Sequence, residues 1–465
     1  MLSFFKLNDP FRLFGIVFLL IVLRIPYWIQ DIPLLQPELV WMLIGERISK
    51  GHSMYVGIID DSGPLSAGVY WLIQLMVGKS LLAYKIIAGG LILFQIAFVN
   101  NILIQFKAFE DNTYIPALVM AVLFHLSFDF LTLSPALMGS TFIILALAQL
   151  FSQTVRHQDH PEPVFLVGLF GGMALCFHFP LIVFLPFLLV AGVVISGFNL
   201  SQLILCLAGY FLPFSLIAVY YFWIDGLTEF LFEFAFATRL VEGYHYVSYW
   251  DLATLFLLPL IFTGVGFVIG AVLKRLTVNQ QKQNQLIILY MVFSLFTIFL
   301  SNRTAPYQWI VILPGLTYYI SQIFVYLNRK ILKTVLFYIF LIGIPMSGYV
   351  WVYQKTTTGD INKYTVGMGS HYGLTQNATV LVLGDDLGYY RNATLAGPYL
   401  NYHLSKPALN DYKSHSGLTK IYSSFKKEMP EYIIDEEGIF ATLLEYLPEI
   451  AADYTLEQEG IYKLK

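Results

Sequence analysis

Hydrophobic positions along this chain gather into long uninterrupted runs, at 13–29, 65–78, 81–104, 114–131, 134–152, 163–178, 179–196, 200–223, 251–273, 286–300, 307–327 and 331–353. Most approach the ~20 residues with which a helix crosses a ~30 Å hydrocarbon core. The pattern predicts an all-α polytopic membrane protein. Two stretches break it. The first is a polar loop, 31–64, reading DIPLLQPELVWMLIGERISKGHSMYVGIIDDSGP, with Glu38, Glu46, Arg47, Lys50, Asp60 and Asp61 in otherwise apolar surroundings. The second is the tail beyond Tyr353. No run in 354–465 is long enough to span, so a membrane domain at 1–353 is expected to be followed by a small soluble α/β domain at 354–465. In that tail ATVLVLGDD (378–386) and EYIID (431–435) read as strands and FATLLEYLPEIAADY as a helix. The closing EGIYKLK reads as an edge strand.

Basic residues near the span ends set an orientation. Lys6 and Arg12 precede the first run, Lys274, Arg275 and Lys282 share one loop, and Arg329, Lys330 and Lys333 precede the last run. Placing these in the cytoplasm puts loop 31–64, loop 224–250 and the tail outside, which requires an odd number of crossings. Twelve runs are even, so eleven or thirteen crossings are expected; the softest assignments are 65–78 and the pair 163–178/179–196, broken at Phe179-Pro180. The first run contains Arg24, lacks a small-residue cleavage site and is followed by further runs, so it reads as a retained helix.

Composition agrees. The chain is 57% hydrophobic and 12% charged, where soluble domains carry about 25% charged residues. The net charge of −3 says nothing about nucleic acid, but no basic stripe exists to bind it, so no nucleic-acid partner is expected. Cys176 and Cys206 lie within apolar runs and read as small core residues. No phosphate-binding glycine loop, nucleophile elbow or HExxH occurs. Sequons at Asn302, Asn377 and Asn392 matter only in a secretory-pathway host.

The order of motifs resembles a family. Pro37-Glu38, Gly51-His52-Ser53-Met54-Tyr55, Asp60-Asp61 and Gly63-Pro64-Leu65 in the first loop are followed by Tyr70-Trp71. Then come GLFGGMALCFHFPLIVFLP (168–186), RTAPYQWIVILPGL (303–316), and LGYYRNATLAGPYLNYHL and MPEYIID in the tail. This series is similar to the C-type-fold membrane glycosyltransferases that use polyprenyl-phosphate sugars, among them the protein O-mannosyltransferases and the aminoarabinose transferases. The resemblance covers almost the whole chain and rests on the order of individually weak motifs. It departs at three places: the family's usual Asp-Glu is Pro37-Glu38, a lysine at the helix break is His178, and a late His-Tyr is Pro306-Tyr307.

The resemblance implies transfer of a hexosyl or pentosyl group from a polyprenyl-phosphate donor to an extracytoplasmic lipid, glycan or protein. The protein would sit in a cell membrane, such as a bacterial inner membrane, and take part in envelope glycan synthesis. Such a reaction needs a base for the acceptor hydroxyl and positive charge, or a metal, for the leaving phosphate. Glu38 is the candidate base, set against a plain helix-start carboxylate. Arg303 and Arg239 are candidate phosphate ligands, set against interfacial anchors. Tyr55, Tyr244, His245 and Tyr307 are candidate sugar or acceptor contacts; Tyr244, His245, Tyr246, Tyr249 and Trp250 equally suit an aromatic belt. Asp60 and Asp61 precede a Gly-Pro turn, so turn bonding stands beside a divalent cation as their use, and no other cofactor is implied. Glu46, Arg47 and Lys50 read as the solvated face of a helix lying on the membrane. Arg24, Lys85, Asp129 and His178 fall in or beside spans, where each ionisable group costs ~2–3 kcal/mol or more, and Asp129 is expected in a short loop. A non-catalytic relative that binds a lipid-linked glycan or a membrane partner is the alternative. A transporter is disfavoured because no internal duplication is visible.

Overall fold

Apolar runs fold as helices here because hydrocarbon offers no partner to a backbone N–H or C=O. The computed structural model describes residues 1–30, 32–155, 161–237, 244–273, 276–367 and 369–465. Lys274, Arg275 and Arg239 lie outside the described residues, as does Asp31 at the start of the first loop. Two compact units emerge: Met1–Ile32 with Leu82–Ile217 and Tyr244–Gly359, and Pro33–Leu81 with Ala218–Gly243 and Asp360–Lys465.

The first unit is a helical bundle. Among the described residues nine helices of the chain are long and apolar enough to span a membrane, from Arg12–Ile29 to Lys330–Thr358. Pro161–Phe177 is a shorter apolar helix, and the run at 114–131 forms the helix Ile115–Leu123 ending in a 3-10 turn, Phe128–Leu131, around Asp129. Asp129 therefore does sit in a short loop. The remaining apolar helix, Pro64–Val77, belongs to the second unit. At 14 residues it is about 21 Å long, too short for the core. The nine candidate spans among the described residues fall short of the eleven or thirteen expected, because the runs at 65–78, 114–131 and 163–178 fold as shorter helices, Pro64–Val77, Ile115–Leu123 and Pro161–Phe177.

Almost all residues of Pro306–Tyr326 are buried, which makes it the bundle's centre, whereas few of Leu200–Trp223 are, so that helix turns most of its apolar surface outward, as a lipid-facing helix does. The glycines of the GLFGGM segment have a packing reason. A Cβ at Gly168 would stand 1.9 Å from the Cys206 carbonyl oxygen, and one at Gly172 would stand 2.0 Å from that of Tyr210. Small residues four apart let two helix backbones touch. Cys176 and Cys206 are buried free thiols.

The bundle has two chemically distinct ends. At one, Tyr114 donates its N–H to Phe5 O, and Gln280 and Gln283 donate to Lys107 O and Phe106 O. At the other, the backbone around Asp129, His178 and Arg303–Gln308 comes together.

The second unit carries a five-stranded sheet with order β4-β3-β5-β7-β6: β3 Thr379–Leu383, β4 Thr394–Leu395, β5 Tyr432–Asp435, β6 Tyr454–Gln458 and β7 Ile461–Leu464. β4, β3 and β5 are parallel, and β7 is antiparallel to β5 and β6. The closing segment is thus an interior strand; its hairpin with β6 turns at Gly460, φ +73°. The predicted single helix breaks at Leu447-Pro448 into Ile439–Tyr446 and Pro448–Asp453, and its last residue starts β6. Pro448 cannot supply the N–H that would continue the first helix.

The first-loop helix, Gln36–Ser49, is fastened to the tail within this unit. Leu35 bridges Thr365, and Gln36 donates its N–H to Tyr364 O. Arg47 is 4% exposed and bonds both Glu428 oxygens at 2.7 and 3.1 Å, with His52 at 3.2 Å from the same carboxylate. The expectation of a solvated Arg47 is overturned. Its partner lies 381 residues away, beyond the reach of local pattern. Glu46 and Lys50 do pair with each other at 2.8 Å at the exposed edge.

Candidate functional site

Glu38 stands at the third position of the Gln36–Ser49 helix and is 3% exposed. Leu35, at the N-cap, has no side-chain oxygen. Glu38 reaches back instead, and its Oε2 accepts the Leu35 N–H at 3.2 Å. That is the carboxylate half of a capping box. Pro37 occupies the first turn, where a missing N–H costs nothing.

Asp60 is fully buried. Its Oδ2 accepts from Ser62 N–H at 2.9 Å and Ser62 Oγ at 2.5 Å, and its Oδ1 accepts from Asn401 Nδ2 at 3.1 Å. Both oxygens are engaged in holding a turn and tying it to the tail. Asp61 is half-buried beside it. Among the described residues no group of three or more His, Cys, Asp or Glu side chains converges as a metal site. Tyr55 takes a positive φ of 69°, donates its hydroxyl to Ser62 O at 2.7 Å and packs against Tyr221, Phe230 and Phe234. It holds the shape of the loop.

Sequence reasoning passed over Glu233. It lies in a π-helical turn, Leu231–Ala235, and accepts a hydrogen bond from the Asp60 backbone. Its Oε2 is buried without a hydrogen-bond partner among the described residues. Burial, then the neighbouring charges of Asp60 and Glu229, push its pKa up to about 10. It carries a proton at neutral pH. A lone carboxylate inside the aromatic run FLFEFAF was the available signal.

In the bundle, Arg303 is buried and opens β2, Arg303–Thr304, which pairs in parallel with β1, Tyr244–His245. Ser301 Oγ donates to Arg303 O at 2.8 Å, and His245 Nδ1 lies 2.7 Å from Thr304 Oγ1. The backbone of Tyr244 stands opposite Arg303 in register. Tyr307 is buried and gives its N–H to Asp129 Oδ2 at 2.9 Å; Ser127 Oγ holds Oδ1 at 2.5 Å. His178, at the helix break, has Nε2 at 2.6 Å from Gln308 Oε1, so the histidine and the Pro306–Ile312 turn are locked together.

The arrangement therefore gathers two sets of groups. The second unit holds Glu38, Asp60 and Glu233, and the bundle holds Arg303, His245, Tyr307, Asp129 and His178. No protein-family model matches the chain, and no curated protein matches it. Solved structures do. ArnT from Cupriavidus metallidurans, solved bound to undecaprenyl phosphate, is 11% identical with a TM-score of 0.53, over 93% of this chain and 94% of ArnT. The archaeal oligosaccharyltransferase AglB from Archaeoglobus fulgidus was solved with an inhibitory peptide and a dolichol-phosphate. It is 11% identical with a TM-score of 0.50, over 98% of this chain and 75% of AglB. The chain has the C-type glycosyltransferase fold. The notable local features are the capped Glu38 and the buried Arg303.

Proposed function

We propose that this membrane protein transfers a sugar from a polyprenyl-phosphate donor to an acceptor on the extracytoplasmic side, where its tail would also lie. The observation that carries the proposal is the near full-length likeness to two chains solved with polyprenyl phosphates bound. Glu38 takes the proton from an acceptor hydroxyl, whose oxygen attacks the anomeric carbon. The bond from that carbon to phosphate oxygen breaks, and the lipid phosphate leaves with the electron pair. Arg303 holds the phosphate through its planar fork of donors, with Arg239 as a second cation. Tyr244, His245 and Tyr307 serve the sugar or acceptor, with Tyr55 supporting the loop from its packed position. A divalent cation at Asp60 and Asp61 would have to displace the Ser62 and Asn401 bonds.

One observation favours the alternative of a non-catalytic, glycan-binding relative: Glu38 already has a structural task at the helix start. The test is turnover. Purified protein is incubated with undecaprenyl-phosphate hexose and pentose donors, and release of undecaprenyl phosphate is measured. Release supports the transferase. Saturable donor binding without release over a full donor and acceptor panel supports the relative.

A further inference from the structure

Two cations stand on the outward face of the first unit, near the helix ends that lead into and out of the first-loop region. Arg24 lies in Arg12–Ile29, one turn before Trp28, and Lys85 lies in the second turn of Leu81–Gln105. The Arg24 guanidinium rests on Gly89, where a Cβ would stand 3.3 Å from Nη1 and 3.8 Å from Nη2. Lys85 and Gly89 are one turn apart on the same helical face. Guanidinium and ammonium therefore meet one face of Leu81–Gln105. At Gly90 a Cβ would touch nothing within 4 Å, so the helix is open beside them.

Among the described residues neither cation has a carboxylate partner. Arg24 Nε is buried without a hydrogen-bond partner, and His125, whose charge it would oppose, brings no negative charge. Lys85 is exposed and forms no ion pair. Arg47, by contrast, is closed by Glu428. Ionisable groups in a span are costly, and a partner from outside the chain relieves that cost. The surroundings say what kind of partner. Ile21 and Trp28 on the Arg24 face, and Leu82 and Ile86 beside Lys85, are 48–68% exposed, an apolar surface of the sort that acyl chains cover. A tryptophan at a helix end marks the headgroup level. Arg24 starts one turn, about 5.4 Å, beneath it. A phosphate carried on a lipid reaches that depth between the helices. Two positive charges with no acidic neighbour also repel the ammonium of a zwitterionic headgroup, so a net anionic lipid is favoured.

We propose that Arg24 and Lys85 hold the phosphate of one anionic glycerophospholipid, whose acyl chains run over Ile86 and Ile21. Arg24 grips phosphate oxygens through its planar fork, and Lys85 adds a point charge. The site is separate from Arg303 and does not depend on the transfer reaction proposed above.

The test uses the full chain, purified in detergent and stripped of lipid. Native mass spectrometry reads its binding of phosphatidylglycerol, phosphatidylethanolamine and undecaprenyl phosphate. One phosphatidylglycerol is expected to bind saturably and in preference to phosphatidylethanolamine. Its affinity is expected to fall about fivefold in Lys85→Gln and about fivefold in Arg24→Leu, the worth of one cation beside an anionic headgroup. Arg24→Lys, which keeps the charge and loses the fork, is expected to lie between wild type and Arg24→Leu. Lys85→Gln alters an exposed side chain and decides the matter if Arg24→Leu does not fold. Wild-type affinity in either folded variant, or equal binding of phosphatidylethanolamine, overturns the proposal. Loss of undecaprenyl phosphate instead of phosphatidylglycerol binding in these variants also overturns it and assigns the pair to the donor lipid. Equal competition by inorganic phosphate overturns it by showing that the lipid plays no part.

Discussion

Replacing Glu38 separates its two uses. In Glu38→Gln the side-chain oxygen remains at the third helical position, and glutamine serves a capping box as glutamate does. The bond to Leu35 N–H at 3.2 Å survives, and the loss is limited to the favourable charge at the helix start, about 0.3–1 kcal/mol. In Glu38→Ala the bond is also lost, costing about 1–3 kcal/mol for an N–H left without its charged acceptor. Leu35 has no oxygen with which to compensate. The two variants should therefore differ in melting temperature, with glutamine close to wild type and alanine clearly lower. Activity should not follow that order. A glutamine cannot accept the acceptor's proton, and loss of a general base costs ~10²–10⁴-fold in rate, equivalent to about 3–5 kcal/mol in the barrier. The assay is the initial rate of undecaprenyl phosphate release at saturating donor and acceptor, beside a melting curve of each variant. A folded Glu38→Gln enzyme that works at the wild-type rate would refute the base assignment and leave Glu38 as a helix cap.

Arg303→Lys should weaken undecaprenyl phosphate binding roughly tenfold, since a point charge replaces a two-pronged grip; equilibrium binding of the lipid measures it, and an unchanged affinity counts against Arg303. Glu428→Ala leaves the buried Arg47 guanidinium without its carboxylate and should destabilise the protein by about 3–5 kcal/mol. An apolar pair, Arg47→Met with Glu428→Leu, should regain most of that in a denaturation experiment. Glu233 predicts a pH effect. Its folded pKa, up to about 10, exceeds the ordinary value of 4.5, so between these the folded chain holds a proton that the unfolded chain has released. The stabilisation is complete below pH 4.5 and falls as pH rises toward 10, at about 1.4 kcal/mol per unit. Glu233→Gln should flatten melting temperature against pH between 6 and 9, and equal slopes in both proteins would remove the protonated carboxyl.

What could be read from the chain followed from the solvent it folds in. A bilayer demands long apolar helices, so runs such as 81–104 and 331–353 announce themselves. Pro64–Val77, Ile115–Leu123 and Pro161–Phe177 were read as runs like the others because hydropathy registers composition, whereas spanning is a matter of length. What stayed hidden depends on distance along the chain. For Asp60 the sequence offered a turn first and a cation beside it, and it could not show that Asn401, 341 residues on, closes its second oxygen. Arg47 looked solvated because Glu428 is invisible from its helix. Glu233 was hidden differently: one acidic letter in an aromatic run carries no period and no motif, and it is burial, with the Asp60 loop beside it, that makes it unusual.

The departures from the family pattern acquire a physical reading on the same terms. With Pro37 in the first turn and Leu35 at the cap, the Gln36–Ser49 helix has a single side chain able to close its start, and that side chain is Glu38. An aspartate at 37 would bring a second carboxylate close to Glu38 and raise the pKa of the pair. Its absence leaves Glu38 as the carboxylate that closes the helix start on the Leu35 N–H. Leu35→Ser, which supplies the side-chain oxygen the cap now lacks, should therefore strengthen the helix start by about 0.5–2 kcal/mol, read as a raised melting temperature, and an unchanged melting temperature would count against this account of the cap.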